Sequence, residues 1–313
     1  MELTNRLKRR FLKDCGLSIA LTDSPYFEYF IEMYDKAFHT KEKLNTFMNI
    51  VSRFDNESEV LDYLQSITDG IFKDIQQKDA YKDFLQADMK QFLVKSKYPS
   101  SSIFKECNTG KKLISIDLSK ANFQAMNYFN PNILESETYI DFLKKYTNEQ
   151  HIINSKYIRQ VIFGNLNSKR LSTIEKYMIY QIVELLENLG LGNSILLVTD
   201  DEIVLEGNED IYTLILKELD TIKNLKVDVE LFILKTLRKE NGQPFKSDKF
   251  YVKEFISYTD EKNLNFEIKA TDSTFYPQFF KLLTKQELTE YDLVFVNEGF
   301  VASYKEPIKG DVY

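Results

Sequence analysis

Two acidic stretches stand at the ends of short apolar runs. Asp117 follows Leu113-Ile114-Ser115-Ile116, and Asp200-Asp201-Glu202 lies between Ile195–Val198 and Ile203–Leu205. Carboxylates that end buried strands carry a desolvation cost unless a cation compensates them. If the two strands are neighbours, their acids converge. Carboxylates from adjacent strands can bridge two Mg²⁺ ions about 3.5–4 Å apart, the spacing that supports in-line phosphoryl transfer. The plainer reading is that turns favour Asp and Glu. A third element spans Asn154 to Arg170, where Lys156, Arg159, Phe163 and Asn167 fall at steps of three, four and four residues, one face of a helix. Such a face could bind a nucleoside triphosphate. Its cations would hold phosphates by charge-assisted bonds, and Phe163 beside Gly164 could offer a ring to a base. A surface helix with an apolar anchor is the plain alternative.

Composition narrows the chemistry. The histidines are only His39 and His151, and the cysteines only Cys15 and Cys107, with no CxxC pair. Ser-His-Asp, Cys-His and His-ligated metal sites are therefore poor expectations, and catalysis is expected to run on carboxylates and hard cations. Disulfide scaffolds and zinc knuckles drop out, and a reducing, cytoplasmic setting is the default. The chain has 10 glycines and neither GxxxxGK[ST] nor GxGxxG, which argues against Walker ATPases and Rossmann enzymes. No run of 18 apolar residues occurs, and Met1 to Lys13 is charged where an export signal needs an apolar stretch, so no membrane association is expected. The 41 basic against 48 acidic residues give a net charge of −7, unusual for a nucleic-acid binder, although clustering matters more than the sum.

The elements that must position these residues are legible from periodicity. At 313 residues, with 43% apolar, the chain is long enough for about two domains of roughly 150 residues each. Residues 1–108 read as an all-helical domain, with apolar stripes such as Phe27, Phe30, Ile31 and Tyr34, or Leu61, Leu64, Ile71 and Ile75. Its first helix carries Arg6, Lys8, Arg9, Arg10 and Lys13, read as a solvated face, with phosphate contact the sharper alternative. Pro99, three serines, Asn108, Thr109 and Gly110 then punctuate the chain and mark the boundary. Residues 109–237 read as strand, helices, hairpin, helix and strand. Within them, Ser172 and Glu175 form a capping box for a helix over 172–189 that Gly190 ends. Asn208 caps a helix over Glu209–Ile222, and Leu225 to Ile233 alternate as a strand. Residues 238–313 read as a β-rich extension, with an Asn241-Gly242 turn, a strand over Phe250–Tyr258 and a hairpin turning at Glu298-Gly299. The expected class is α+β with a largely antiparallel sheet.

Motif order adds a resemblance. Asp117-Leu118-Ser119-Lys120-Ala121-Asn122-Phe123-Gln124 resembles motif A of family A DNA polymerases. Arg159, three residues, then Phe163-Gly164 resembles motif B. Leu197-Val198-Thr199-Asp200-Asp201-Glu202-Ile203-Val204-Leu205-Glu206 is similar to motif C, and Lys226 to Leu231 resembles the strand that follows. The resemblance covers roughly Leu113 to Leu237 and preserves the order A, B, C. It implies a small right-hand polymerase palm with reduced fingers at about 150–190. Asp117, Asp200 and Asp201 would be metal ligands, with Glu202 assisting catalysis by Asp117 and Asp201. Lys156, Arg159, Phe163, Asn122 and Asn167 would bind the nucleotide. Departures lie at Asn122, where those polymerases carry a glutamate that excludes the ribose 2′-hydroxyl, at Asn167 in place of a tyrosine, and at Asp200 in place of a histidine. Only 42 residues (201 − 159) separate Arg159 from Asp201, fewer than in that family.

The expected function is template-dependent nucleotidyl transfer to a nucleic-acid 3′ end. It would use Mg²⁺, or Mn²⁺ as a substitute, with nucleoside triphosphates and a primer-template as partners. Asp117 and Asp201 are expected side by side at the edge of one antiparallel sheet, and sugar selection through Asn122 is expected to be loose. The rival is an inactive polymerase-like subunit serving as a binding or assembly module among the proteins of a replication or transcription complex. A third reading is an interaction protein whose motif matches are chance.

Overall fold

The computed structural model describes residues 2–222, 224–239 and 250–313. The Asn241-Gly242 turn expected from the sequence lies outside them. Five helices come first: α1 (Asn5–Cys15), α2 (Tyr26–Phe38), α3 (Thr40–Val51), α4 (Glu57–Gln77) and α5 (Asp79–Gln86). Their apolar stripes are the reason they pack. Phe27, Phe30, Ile31 and Tyr34 of α2 are buried, as are Val60, Leu64, Ile71 and Ile75 of α4. Thr4 caps α1 by accepting from the Leu7 amide, and Gly16 ends it at φ 65°, a conformation that glycine adopts without steric penalty.

Strand β1 (Lys112–Leu118) follows, then helices α6 (Ala121–Phe129), α7 (Tyr139–Lys144), α8 (Gln150–Asn154), α9 (Lys156–Asn165) and α10 (Ser168–Asn188). The hairpin β2 (Ile195–Val198) and β3 (Glu202–Glu206), helix α11 (Glu209–Leu219) and strand β4 (Val227–Arg238) come next. The chain closes with β5 (Tyr251–Tyr258), β6 (Phe266–Lys269), α12 (Tyr276–Leu283), the hairpin β7 (Val294–Asn297) and β8 (Phe300–Ser303), and β9 (Asp311–Val312). The protein is α+β with an antiparallel sheet, as the periodicity implied. The seven-stranded sheet runs β2-β3-β1-β4-β5-β6, with β9 on the far end of β4.

Each strand of the sheet's centre has two faces, and they differ. Ile114, Ile116 and Leu118 of β1, Ile203 and Leu205 of β3, and Val229 and Leu231 of β4 share one core with α6, α10 and the N-terminal helices. The opposite face is divided. At one end, Leu113, Val204, Phe232 and Leu234 pack beneath Ile103, on the segment that leads into β1. At the other end the same face turns polar, at Ser115, Asp117, Glu202, Asp228 and Glu230.

Two expectations fail here. Ser172 and Glu175 do not cap a helix: α10 begins at Ser168, and its cap is Asn167, whose side chain accepts from the Arg170 amide at φ 65°. The reason is that α9 stops at Asn165, so the chain must reverse one turn earlier than the Ser172 signature suggested. The run 154–170 is therefore two helices joined by a break, and Lys156, Arg159, Phe163 and Asn167 share no single face. Among the described residues, no helix is long and apolar enough to cross a membrane.

Candidate functional site

Pairing register decides where the acids go. In the antiparallel sheet Asp117 lies directly across from Glu202 on β3 and from Asp228 on β4. The Leu118 amide also bonds to the Asp201 carbonyl oxygen at 2.9 Å, so the turn after β2 is fastened to the end of β1. Asp117 sits on an interior strand at its C-terminal end, rather than on an outer strand of the sheet. Like charges placed directly opposite destabilise a sheet. The consequence is visible at Asp117, whose carboxyl is pushed up to about 7 by partial burial and then by the charges of Asp201, Glu202 and Asp228. Its side chain remains open to water.

The neighbouring carboxylates are tied by hydroxyls. Ser115 Oγ donates to Glu202 Oε1 at 2.5 Å, Thr199 Oγ1 to Asp201 Oδ1 at 3.1 Å, Ser119 Oγ to Asp228 Oδ2 at 2.8 Å and Ser172 Oγ to Asp200 Oδ2 at 2.5 Å. Lys253, 5% exposed, enters the same face from β5. Its Nζ lies 2.9 Å from Glu230 and 3.8 Å from Glu202, and Lys262 Nζ lies 2.7 Å from Glu230. Burial opposes the Lys253 charge, but Glu230 and Glu202 outweigh it and hold the ammonium above its ordinary value. Glu202 and Glu230 are thus neutralised from within the protein, whereas Asp117 has no cation in ion-pairing reach among the described residues.

Helix α10 crosses over this end of the sheet. Ser172 reaches Asp200, and Glu175, one turn on, accepts from the Asn122 amide of α6. Glu175 is buried, and burial, followed by the charges of Asp201 and Asp200, pushes its carboxyl up to about 7. These contacts explain what Ser172 and Glu175 do in place of capping. Sequence reading missed them, along with Asp228, Glu230 and Lys253. The alternation Asp228-Val229-Glu230-Leu231 was the available signal, since period two places both acids on the face that carries Asp117.

Arg159 comes from α9. It is half-buried, its guanidinium carbon is 5.8 Å from the Tyr139 ring centroid, and no carboxylate lies within 4.0 Å of it among the described residues. Burial draws its pKa below the ordinary value, and the electrostatic influence of Tyr139 and Asp117 opposes this without cancelling it. A cation that is partly desolvated, unpaired and within electrostatic reach of Asp117 is well placed for an anion. Lys156, at the first position of α9, is exposed.

Phe163 is a correction. It is 0% exposed, with ring centroids 6.3 Å from Phe123 and 6.4 Å from Tyr139, so it offers no face to a base. Four residues along the helix from Arg159, the ring lies on the same side, toward Tyr139, but is covered by Phe123 and Tyr139 within the core. Asn167, on the link after α9, is exposed and spends its side chain on the α10 cap. Neither residue joins the site as expected. The structure brings Asp117, Asp200, Asp201 and Glu202 to one end of the sheet, with Asn122 and Arg159 adjoining.

Magnesium fits this donor set in a limited sense. Among the described residues no three of His, Cys, Asp and Glu converge as a ready-made metal cage. Mg²⁺ is commonly held by only one or two carboxylates, with waters and substrate phosphates completing its shell. Asp117, crowded by like charge and lacking a cation, and the adjacent Asp201 are the hard oxygen donors such an ion needs. No protein-family model, curated protein or solved structure matches the chain.

Proposed function

We propose that the protein is a small, divergent polymerase-like palm that performs template-dependent nucleotidyl transfer to a nucleic-acid 3′ end. The observation that carries this reading is the register that sets Asp117 across from Glu202 and Asp228 and fastens it to the Asp201 turn, with Arg159, which has no ion pair among the described residues, in electrostatic reach. Strand order β2-β3-β1-β4, an acidic hairpin beside an acidic strand end, and helices on the opposite face are what such a palm requires.

Asp117 and Asp201 would hold Mg²⁺, which when bound would polarise the triphosphate and lower the barrier to attack by a 3′-hydroxyl. Arg159, with exposed Lys156 at the start of the same helix, binds and orients the triphosphate tail by charge-assisted hydrogen bonds. Glu202, held by Ser115 and facing Lys253, supports the electrostatic frame. Asn122 borders the sugar, and its amide nitrogen is committed to Glu175, which leaves its carbonyl oxygen free to accept from a hydroxyl. That orientation favours tolerance of a ribose 2′-hydroxyl.

A second reading, a palm that binds nucleic acid or protein partners without catalysis, draws support from the carboxylates already engaged by Ser172, Thr199 and Ser115 and from the buried Phe163. One experiment separates the two. The chain is incubated with a primer-template, Mg²⁺ or Mn²⁺, and matched ribo- and deoxyribonucleoside triphosphates, beside Asp117→Asn and Asp201→Asn. Extension by the parent and its loss in both variants supports the enzyme. Nucleic-acid binding without extension in either metal favours the inactive palm.

A further inference from the structure

In the basic stretch of α1, Arg6, Arg9 and Lys13 are exposed, as a solvated face would be, yet several of its cations also make specific contacts. Arg6 pairs with Glu57 at 3.2 Å, and Lys8 bonds to the Thr22 carbonyl oxygen at 3.0 Å and pairs with Glu28 at 3.4 Å. Arg10 and Lys13 turn toward α9, lying 5.4 Å and 4.0 Å from the centroid of the Tyr157 ring. The next residue, Asp14, has a completely buried side chain. Arg10 Nε bonds to its two oxygens at 3.0 and 2.9 Å, His151 Nε2 lies 3.1 Å from Oδ2, and Ser155 Oγ donates to Oδ1 at 3.3 Å.

Ser155 is the cap of α9. Its Oγ accepts from the Ile158 amide at 3.1 Å, and its carbonyl oxygen accepts from the Arg159 amide at 3.2 Å. A hydroxyl has one proton to give. While Asp14 takes that proton, the lone pairs of Oγ remain directed at Ile158 and the helix start is held in one orientation. Arg159 has no ion pair to hold it among the described residues, so its place follows from the backbone of α9 and the Tyr139 ring. A buried carboxylate bonded within α1 to Arg10, and across to His151 of α8 and Ser155 at the start of α9, ties the end of α1 to that junction.

We infer that Asp14 is a positioning residue for Arg159: through Ser155 it fixes the first turn of α9, and so the N-terminal helical region sets where the guanidinium stands beside Asp117. This rests on the reading of Arg159 as the triphosphate ligand given above. Neither Asp14 nor Ser155 touches the ligand. Their effect must pass through Arg159, which distinguishes positioning from general support of the fold.

The test is a double-mutant cycle on the full chain, with binding of inorganic tripolyphosphate and of ATP, each with Mg²⁺, measured by calorimetry. Asp14→Asn keeps the size and one acceptor oxygen, and Ser155→Ala removes only the hydroxyl, which covers the case in which Asp14→Asn does not fold. Each is expected to weaken tripolyphosphate binding about five- to tenfold on its own. Added to Arg159→Ala, neither should weaken it further. Amide hydrogen exchange at Ile158 and Arg159 should quicken in both variants, while amides at the centre of α4 keep their protection. Losses that multiply with that of Arg159→Ala, or unchanged exchange at Ile158 and Arg159, overturn the inference alone. A folded parent that binds neither tripolyphosphate nor ATP overturns both the inference and the reading of Arg159 on which it rests.

Discussion

Asp14 and Asp117 are both aspartates at the ends of regular elements, and they solve opposite problems. Asp14 is fully buried and surrounded by donors: a guanidinium, an imidazole nitrogen and a hydroxyl. Asp117 is open to water and surrounded by acceptors, with Glu202 and Asp228 directly across the sheet and Asp201 fastened behind it. A carboxylate with its own donors belongs to the fold, because its electrostatics are complete without anything from outside. A carboxylate facing other carboxylates is incomplete, and a cation from solution is the simplest completion. Burial by itself would have ranked the two the wrong way round. What separates them is the sign of their neighbours.

The comparison can be broken most decisively at Asp117. If it is the incomplete site, Asp117→Asn should reduce nucleotide incorporation by at least about a thousandfold, some 4 kcal/mol of barrier, and leave the melting temperature unchanged or higher. A variant that loses stability and keeps its activity would assign Asp117 to the fold instead. The converse holds for Asp14. Asp14→Ala leaves Arg10 and His151 without their partner in a buried setting, and should cost about 3–5 kcal/mol in chemical denaturation. A loss under about 1 kcal/mol would place Asp14 with ordinary surface acids.

Arg159→Ala probes the ligand side of the site. It should weaken triphosphate binding roughly tenfold, near 1.4 kcal/mol, with a smaller effect on the melting temperature, since the guanidinium stacks on Tyr139 and makes no ion pair among the described residues. Equal losses in the two would make it structural.

The smallest expected effect is on stability against pH. Asp117 and Glu175 have folded values of about 7, above their ordinary values of 3.8 and 4.5. A carboxyl raised in the folded state binds its proton more tightly there. Its contribution is therefore complete below about pH 4 and is lost as the pH rises toward about 7. Thermal melts without divalent ions should show the folded state weakening over that range, by less in Glu175→Gln and in Asp117→Asn. Mg²⁺ should flatten the neutral end of the profile, and a profile identical in parent and variants would show that these acids titrate normally.

Local pattern was enough for a good part of this molecule. Leu113–Leu118 and the two runs around Asp200-Asp201-Glu202 form where their periodicity placed them, while the helix after Asn208 stops at Leu219 and the strand through Val229 runs on to Arg238; alternation and helical stripes report one-sided burial directly, but not where an element ends. The acids were legible for the same reason, as charges where a buried run stops. What pattern could not supply was register and partner. Ser172 and Glu175 satisfy a capping rule in sequence, yet Asn167 takes that role, and the pair reaches Asp200 and Asn122 across the sheet end. Phe163 and Arg159 belong to one helix and both lie against Tyr139, but the ring is fully buried there while the guanidinium stays half-exposed. Arg10 and Asp14 stand four residues apart, a helical pairing legible in the sequence, but nothing local marked that Asp14 would also hold His151 and Ser155, which lie more than a hundred positions away in the chain. Periodicity is a property of neighbours in sequence. The sign of the charge facing a carboxylate is a property of neighbours in space, and only the assembled sheet and helices determine it.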